Sequence, residues 1–194
     1  MKKMVFLSAL IVAFIGCESY QVKVTDDQFK KSKVMKVQMW HKVLEGKLDN
    51  RSVTYTREFK DGKNMPITVT FHFRAGDFLK SAMSMPFGNS ERTVELDEEA
   101  YLLVDNESIK LTVSDRQRDR TMNVWGTDSG VWAGTTDDLY GSLEIPPQVG
   151  NKMAKAKNIQ YRFYAYKEPT TLEATPKQLL KLREFFDNNL PATK

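Results

Sequence analysis

Long stretches of this chain alternate between apolar and polar residues with a period of two. The clearest stretch has Ile67, Val69, Phe71 and Phe73 interleaved with Thr68, Thr70, His72 and Arg74. Two earlier stretches, 37–43 and 53–59, follow the same rule. A period of two is typical of a strand with one buried face and one solvated face. The pattern predicts three strands, with a glycine-containing turn at 61–64 between the last two.

Further short strands are predicted along the rest of the chain, separated by polar turns. They cover residues 92–96, 100–104, 108–113, 121–125, 131–132, 140–145 and 159–165. A short helix over 26–31 is predicted from the capping-box pattern that begins at Thr25. Another helix is predicted over 148–157, after Pro146 and Pro147 stop the preceding strand.

The C-terminal segment has the pattern of an amphipathic helix. Thr175 is a suitable N-cap and Pro176 a suitable first helical residue. Its apolar stripe consists of Leu179, Leu180, Leu182, Phe185 and Phe186, which predicts a helix over 176–188. Antiparallel strands closed by one helix predict a mainly β fold, either a β-sandwich or a curved sheet with a C-terminal covering helix. No repeat or linker divides residues 34–194, so we expect one globular domain there.

The first seventeen residues follow a different pattern. Lys2 and Lys3 precede an apolar run over 4–15, and Gly16 and Cys17 follow directly. A basic start, about a dozen apolar residues and a small residue before the cut are features of a secretory signal peptide. The run is shorter than the roughly 20 residues that a spanning helix needs. An ordinary signal peptide with a chance cysteine and an uncleaved anchor remain the alternatives.

The sequence Phe14-Ile15-Gly16-Cys17 resembles the lipobox of bacterial lipoproteins, with Phe14 where the family usually has Leu. Looser lipoboxes of this kind occur in spirochaete lipoproteins. The resemblance covers residues 1–18 and implies that residues 1–16 are removed and that Cys17 is lipidated. Three acyl chains on Cys17 would anchor the protein stably in a membrane.

The resemblance also implies a location. In the sorting rule of enterobacterial lipoproteins, Asp directly after the cysteine favours retention in the inner membrane. This chain has Glu18 at that position, so we expect it in the outer membrane. Polar residues 17–33 then form a tether. The side of the membrane that the domain faces stays open. After Cys17, no second apolar stretch approaches spanning length.

Composition excludes several classes of protein. Cys17 is the only cysteine, so the chain has neither a disulfide scaffold nor a cysteine-based metal or catalytic site once that residue is lipidated. The formal charge of +4 becomes +2 when Lys2 and Lys3 are removed, which gives no case for nucleic-acid binding. No phosphate-binding glycine loop is present, and we expect no cofactor.

The titratable residues offer weak candidates for chemistry. In the alternating pattern, His41 falls on the side of its strand that faces the interior, and His72 falls on the outer side. A metal site would need both histidines beside a carboxylate, and their spacing in the sequence gives no reason to expect this arrangement. The acidic residues at 95–99 and the pair Asp137-Asp138 can in principle serve acid–base or calcium chemistry. Solvated turns are the favoured interpretation of these acidic clusters.

Two further groups are candidate binding residues. Arg116, Arg118 and Arg120 would line one side of an extended segment and could clamp a carboxylate or phosphate, although a solvated strand edge is the simpler interpretation. Trp125 and Tyr140 flank residues 126–139, which contain Trp132 and which we predict as a long loop. These aromatic residues either stack on a ligand or fold back to seal the end of the sheet.

The sequence therefore predicts a lipid-anchored outer-membrane protein that acts as a non-catalytic structural, binding or host-contact module. Its expected partners are the membrane, through Cys17, and a protein or carbohydrate. The alternative is a periplasm-facing binding protein for a small ligand, carbohydrate or peptide that uses the 126–139 loop. A hydrolase with carboxylates brought together by folding is the third hypothesis. An enclosed cavity would favour the binding protein for a small ligand. A pair of carboxylates in a cleft would favour the hydrolase.

Overall fold

The computed structural model describes residues 20–27, 31–61, 63–75, 95–127 and 130–187. The strands are β1 (Val22–Asp27), β2 (Ser32–Met39), β3 (Lys42–Glu45), β4 (Leu48–Lys60), β5 (Lys63–Asn64), β6 (Ile67–Ala75), β7 (Leu96–Val104), β8 (Glu107–Thr127), β9 (Gly130–Ile145), β10 (Ile159–Ala165) and β11 (Glu168–Glu173); the helices are α1 (Pro147–Met153) and α2 (Pro176–Asp187). The predicted signal peptide and Cys17 lie outside the described residues.

The strands form one curled antiparallel sheet. Its order is β1-β2-β4-β6-β9-β8-β7-β10-β11-β3, and the short β5 pairs with β4 beside this path. Only Trp40 and His41 separate β2 from β3, yet β3 pairs with β11 at the far end of the order. This connection spans at most about 11 Å, so the sheet curls until its two ends lie close together. The predicted mainly β fold is confirmed, in its curved-sheet form.

The alternating pattern decides which side of each strand faces the interior. Ile67, Val69, Phe71 and Phe73 on β6 are all buried. Aromatic rings from several strands meet inside the curl: the ring centroid of Phe71 lies 4.4 Å from that of Phe163 and 5.1 Å from that of Tyr161. These edge-on contacts are a favourable packing of aromatic rings. Large side chains therefore fill the described interior.

Helix α2 covers the interior, as the C-terminal pattern predicts. Leu179, Leu182 and Phe185 on its inner side are buried. Gln178, three residues after the N-cap Thr175, accepts the Thr175 backbone N–H at 2.9 Å, as in a capping box. The prediction is wrong for Leu180, which is 63% exposed, because the helical period turns this position away from the sheet.

The segment predicted as a polar tether over 17–33 is partly folded. Residues 22–27 form β1, which pairs with β2 from Val22↔Val37 to Asp27↔Ser32. The predicted helix over 26–31 is wrong at residues 26 and 27, while 28–30 lie outside the described residues. Pairing with β2 outweighs a local cap, since so short a helix is unstable alone. The described fold begins at Tyr20, which is buried, and not at residue 34.

Several predicted boundaries also differ. Strands 108–113 and 121–125 are parts of β8, and strands 131–132 and 140–145 are parts of β9. The predicted strand 37–43 breaks between β2 and β3. Of the predicted strand 92–96, residues 92–94 lie outside the described residues, Glu95 precedes the strand and Leu96 begins β7. β11 has no period-two pattern of apolar residues and was not predicted. Helix α1 ends at Met153, four residues earlier than predicted.

Candidate functional site

Strands β8 and β9 form a hairpin that continues past the rest of the described sheet. Its register extends to Thr127↔Gly130, whereas β6 pairs with β9 only as far as Asp138. Beyond that point, β8 and β9 pair with each other alone among the described residues. We call this extension, residues 119–127 and 130–138, the arm. At about 3.3 Å per residue, it is roughly 26 Å long.

The prediction of a long loop over 126–139 is wrong, because most of these residues form the strands of the arm. Residues 130–139 belong to a strand, and only residues 128–129 separate the two strands in the sequence. Thr, Val and Trp in this stretch favour extended backbone, and two paired strands satisfy backbone groups that a long loop would leave open. Trp125 is the register partner of Trp132 within the arm, while Tyr140 lies in β9 at the root of the arm.

On one face of that root, Asp137 accepts hydrogen bonds from two arginines. Arg118 Nη2 and Nε lie 3.0 and 3.1 Å from Asp137 Oδ1, and Arg120 Nε lies 2.9 Å from the same oxygen. Asp137 is only 1% exposed. Burial opposes ionisation of this carboxyl, but the hydrogen bonds and charges of Arg120 and Arg118 outweigh it and keep the pKa of Asp137 below its ordinary value. Asp137, Arg118 and Arg120 therefore form an ion-paired cluster within the chain.

Arg116 does not join the other two arginines, contrary to the prediction that all three line one side. The β8–β9 register shifts between Ser114 and Gln117, which marks a bulge, and Asp115 within it has a φ of 49°. Arg116 instead donates to Leu96 O at 3.1 Å and to Glu98 Oε1 at 2.7 Å. The bulge changes the parity of the strand and so separates Arg116 from Arg118 and Arg120.

The opposite face of the root carries a second cluster. His72 Nε2 and Arg74 Nε donate to Asp138 Oδ1 at 3.0 and 3.3 Å. The ring of His72 stacks on that of Tyr140 with centroids 4.5 Å apart. Burial raises the pKa of Asp138, but the hydrogen bonds from His72 and Arg74 outweigh this effect and the pKa lies below its ordinary value. Burial and the charge of Asp138 raise the pKa of Tyr140.

Asp137 and Asp138, adjacent in the sequence, thus belong to two ion-pair clusters on opposite faces of β9. Consecutive strand residues point to opposite sides, so these carboxyl groups are not placed as an acid–base pair. Together the clusters hold the root of the arm from both sides. An isolated two-stranded hairpin is marginally stable in water, and these contacts give the arm a fixed base.

His41 forms a separate polar cluster inside the fold. Its Nδ1–H donates to Gln178 Oε1 at 2.9 Å, and its Nε2 accepts the Tyr55 hydroxyl at 2.6 Å. Burial lowers the pKa of His41 to about 4, against the opposing effect of the Gln178 hydrogen bond. His41 is therefore neutral at pH 7. The predicted inward orientation of His41 is confirmed, and His72 lies on the other side of the sheet, so the two histidines do not share a site.

Comparison with known proteins gives no match: no protein-family model, curated protein or solved structure matches this chain. Neither helix in the described part of the chain is long and apolar enough to cross a membrane.

Proposed function

We propose that this chain is a bacterial lipoprotein, anchored in the outer membrane through Cys17, that binds a protein partner through the arm and does not act as a catalyst. The observation that supports the binding role most is the continuation of the β8–β9 register past the end of β6. Among the described residues, it gives the fold a long two-stranded extension with a fixed base.

The anchor is supported by the N-terminal sequence and by the position of Tyr20. Lys2 and Lys3, the apolar run and Gly16-Cys17 provide the features of a lipoprotein signal. Tyr20 is already part of the fold, since its side chain is buried and accepts a hydrogen bond from Gln178. A lipid on Cys17 would therefore hold the folded domain only three residues from the membrane.

A protein is the partner class that the arm favours. Beyond Asp138, the outer edges of β8 and β9 have no neighbouring strand among the described residues. The backbone groups of an edge strand can hydrogen-bond to an added strand. A small-ligand carrier would need an enclosed cavity, whereas aromatic side chains fill the described interior.

Site-specific photocrosslinking in the producing cell tests this proposal. A photoreactive phenylalanine analogue replaces Trp125 or Trp132 in the arm, and, as control, Tyr166, an exposed aromatic residue between β10 and β11. We expect protease-sensitive adducts from both arm positions and none from position 166. Adducts that resist protease but yield to glycosidases would show a carbohydrate partner instead. Absence of adducts from the arm would contradict the binding role.

A shortened arm provides the matched control. Replacing residues 121–136 by Asn-Gly joins Arg120 to its register partner Asp137 through a two-residue hairpin turn. This variant keeps the Arg118–Asp137–Arg120 cluster, so we expect a melting temperature close to that of the parent chain. It should no longer retain the partner identified by the adducts. Retention of that partner by a folded, shortened variant would exclude the arm as the binding element.

A further inference from the structure

The short distance between Cys17 and the fold determines which surface meets the membrane. This inference rests on the proposed lipid anchor. Three residues of extended chain span at most about 11 Å, and the ring of Tyr20 is fixed by its hydrogen bond to Gln178. The surface around Tyr20 therefore lies within about 11 Å of a lipid attached to Cys17. A longer, freely moving tether would impose no such restriction.

That surface contains an open groove of about 470 Å³ on the outer side of β1, β2 and β4. Its lining includes Tyr20, Lys23, Lys36, Gln38 and Trp40. Trp40 is 52% exposed, which is unusual for so large an apolar ring. Tryptophan is enriched at the interface between membrane and water, where its apolar ring and polar N–H are both accommodated.

The charged side chains that line this groove are both lysines, Lys23 and Lys36. Lys23 and Lys36 are exposed register partners on neighbouring strands, and neither forms an ion pair with a described residue. Like charges directly opposite each other destabilise a sheet. An anion bound between them would remove that cost. Lys177 adds a third charge, with its Nζ 5.8 Å from the ring centroid of Tyr20.

We propose that this surface, formed by Lys23, Lys36, Trp40 and Lys177, docks on the anionic phospholipid headgroups of the membrane that holds Cys17. The three lysines contact headgroup phosphates and Trp40 enters the interface. Each lysine near an anionic membrane surface is expected to change the ratio of docked to undocked protein about fivefold. Docking holds the domain in one orientation on the bilayer.

The test uses the chain from Cys17 onward, which contains every described residue. Cys17 is the only cysteine, so a maleimide phospholipid couples there and places the protein on vesicles whether or not cells lipidate it. In a W125F/W132F background, Trp40 is the only tryptophan. On vesicles containing phosphatidylglycerol we expect blue-shifted Trp40 emission that brominated lipids quench. On pure phosphatidylcholine, and at high salt, both effects should weaken.

Two charge variants make the result specific. K23Q/K36Q/K177Q should reduce quenching at least several-fold, whereas K110Q/K155Q/K167Q removes the same charge from exposed lysines outside the groove and should change it little. Solvent-like, unquenched Trp40 on anionic vesicles would overturn the proposal, as would equal quenching in both variants. Amine acylation followed by peptide mass spectrometry repeats the test in the unsubstituted chain: Lys23 and Lys36 should be protected on anionic vesicles, and unchanged labelling would contradict docking.

Discussion

Gln178 Nε2 donates a hydrogen bond of 2.9 Å to Tyr20 Oη, although the two residues are 158 positions apart in the chain. The same amide donates to Trp40 O, and its oxygen accepts from His41 and Thr175. One side chain therefore joins the N-terminal segment, the β2–β3 connection and the start of α2. This junction fixes the position from which the chain leaves towards Cys17.

Gln178→Ala should destabilise the fold more than the loss of a single hydrogen bond. The substitution leaves the His41 Nδ1–H and the Trp40 carbonyl without this partner inside the fold, and we expect a loss of about 2–3 kcal/mol in the free energy of unfolding. Tyr20→Phe removes one neutral hydrogen bond and should cost about 1 kcal/mol. Urea titration measures both values, and equal losses would argue against Gln178 as the junction.

His41 should make stability depend on pH in a defined window. Its folded-state pKa of about 4 lies below the ordinary value of 6.5, so below pH 6.5 the unfolded chain binds a proton that the folded chain does not. Stability should therefore fall by about 3 kcal/mol as the pH drops from 6.5 to 4. Asp137 and Asp138, whose pKa values are lowered, lose their contribution only at still lower pH.

His41→Gln removes the group that titrates in that window. Denaturant titrations from pH 7 to pH 4 should show a flatter profile for the variant than for the parent chain, whatever its stability at pH 7. Parallel profiles would show that other groups cause the dependence.

Asp137→Asn should weaken the root of the arm. It leaves Arg118 and Arg120 beside a neutral amide in place of a buried carboxylate, which we expect to cost about 2 kcal/mol. Asp119→Asn changes the same chemical group at an exposed neighbouring position and should have little effect. Hydrogen exchange of amides in the arm, together with melting temperature, measures the difference. Similar results for the two variants would contradict the clamping role.

Leu182 and Leu180 test the covering role of α2. Leu182 is fully buried and Leu180 is 63% exposed, two positions away on the same helix. Leu182→Ala should reduce the free energy of unfolding by about 2–5 kcal/mol because it leaves a cavity. Leu180→Ala should change it by less than about 0.5 kcal/mol. A small effect at Leu182 would show that α2 does not seal the interior.

Periodicity predicted much of the sheet because burial on one face imposes it locally. The residues of β6 and β10 alternate, and their predicted positions are confirmed. Residues 126–139 were predicted as a loop because they are rich in glycine and aspartate, which are depleted in strands. Pairing between β8 and β9 gives them their extended conformation.

The clusters could not be predicted from spacing alone. His41 and Gln178 are 137 residues apart, and nothing near either residue indicates the other. The arginine prediction failed at Arg116 because one bulge reverses strand parity, and a bulge at Asp115 has no clear signal in the sequence. His72 and Arg74 lie opposite Tyr140 and Asp138 only through the β6–β9 register.

The most direct test of the proposed anchor is metabolic labelling with an alkyne palmitate analogue, followed by mass spectrometry of the N-terminal peptide. The parent chain should incorporate the label and yield a peptide that begins at lipidated Cys17. Cys17→Ala should incorporate none, while Ser19→Ala, two residues away, should be labelled like the parent chain. An unlabelled parent chain, or label that persists in Cys17→Ala, would contradict attachment through Cys17.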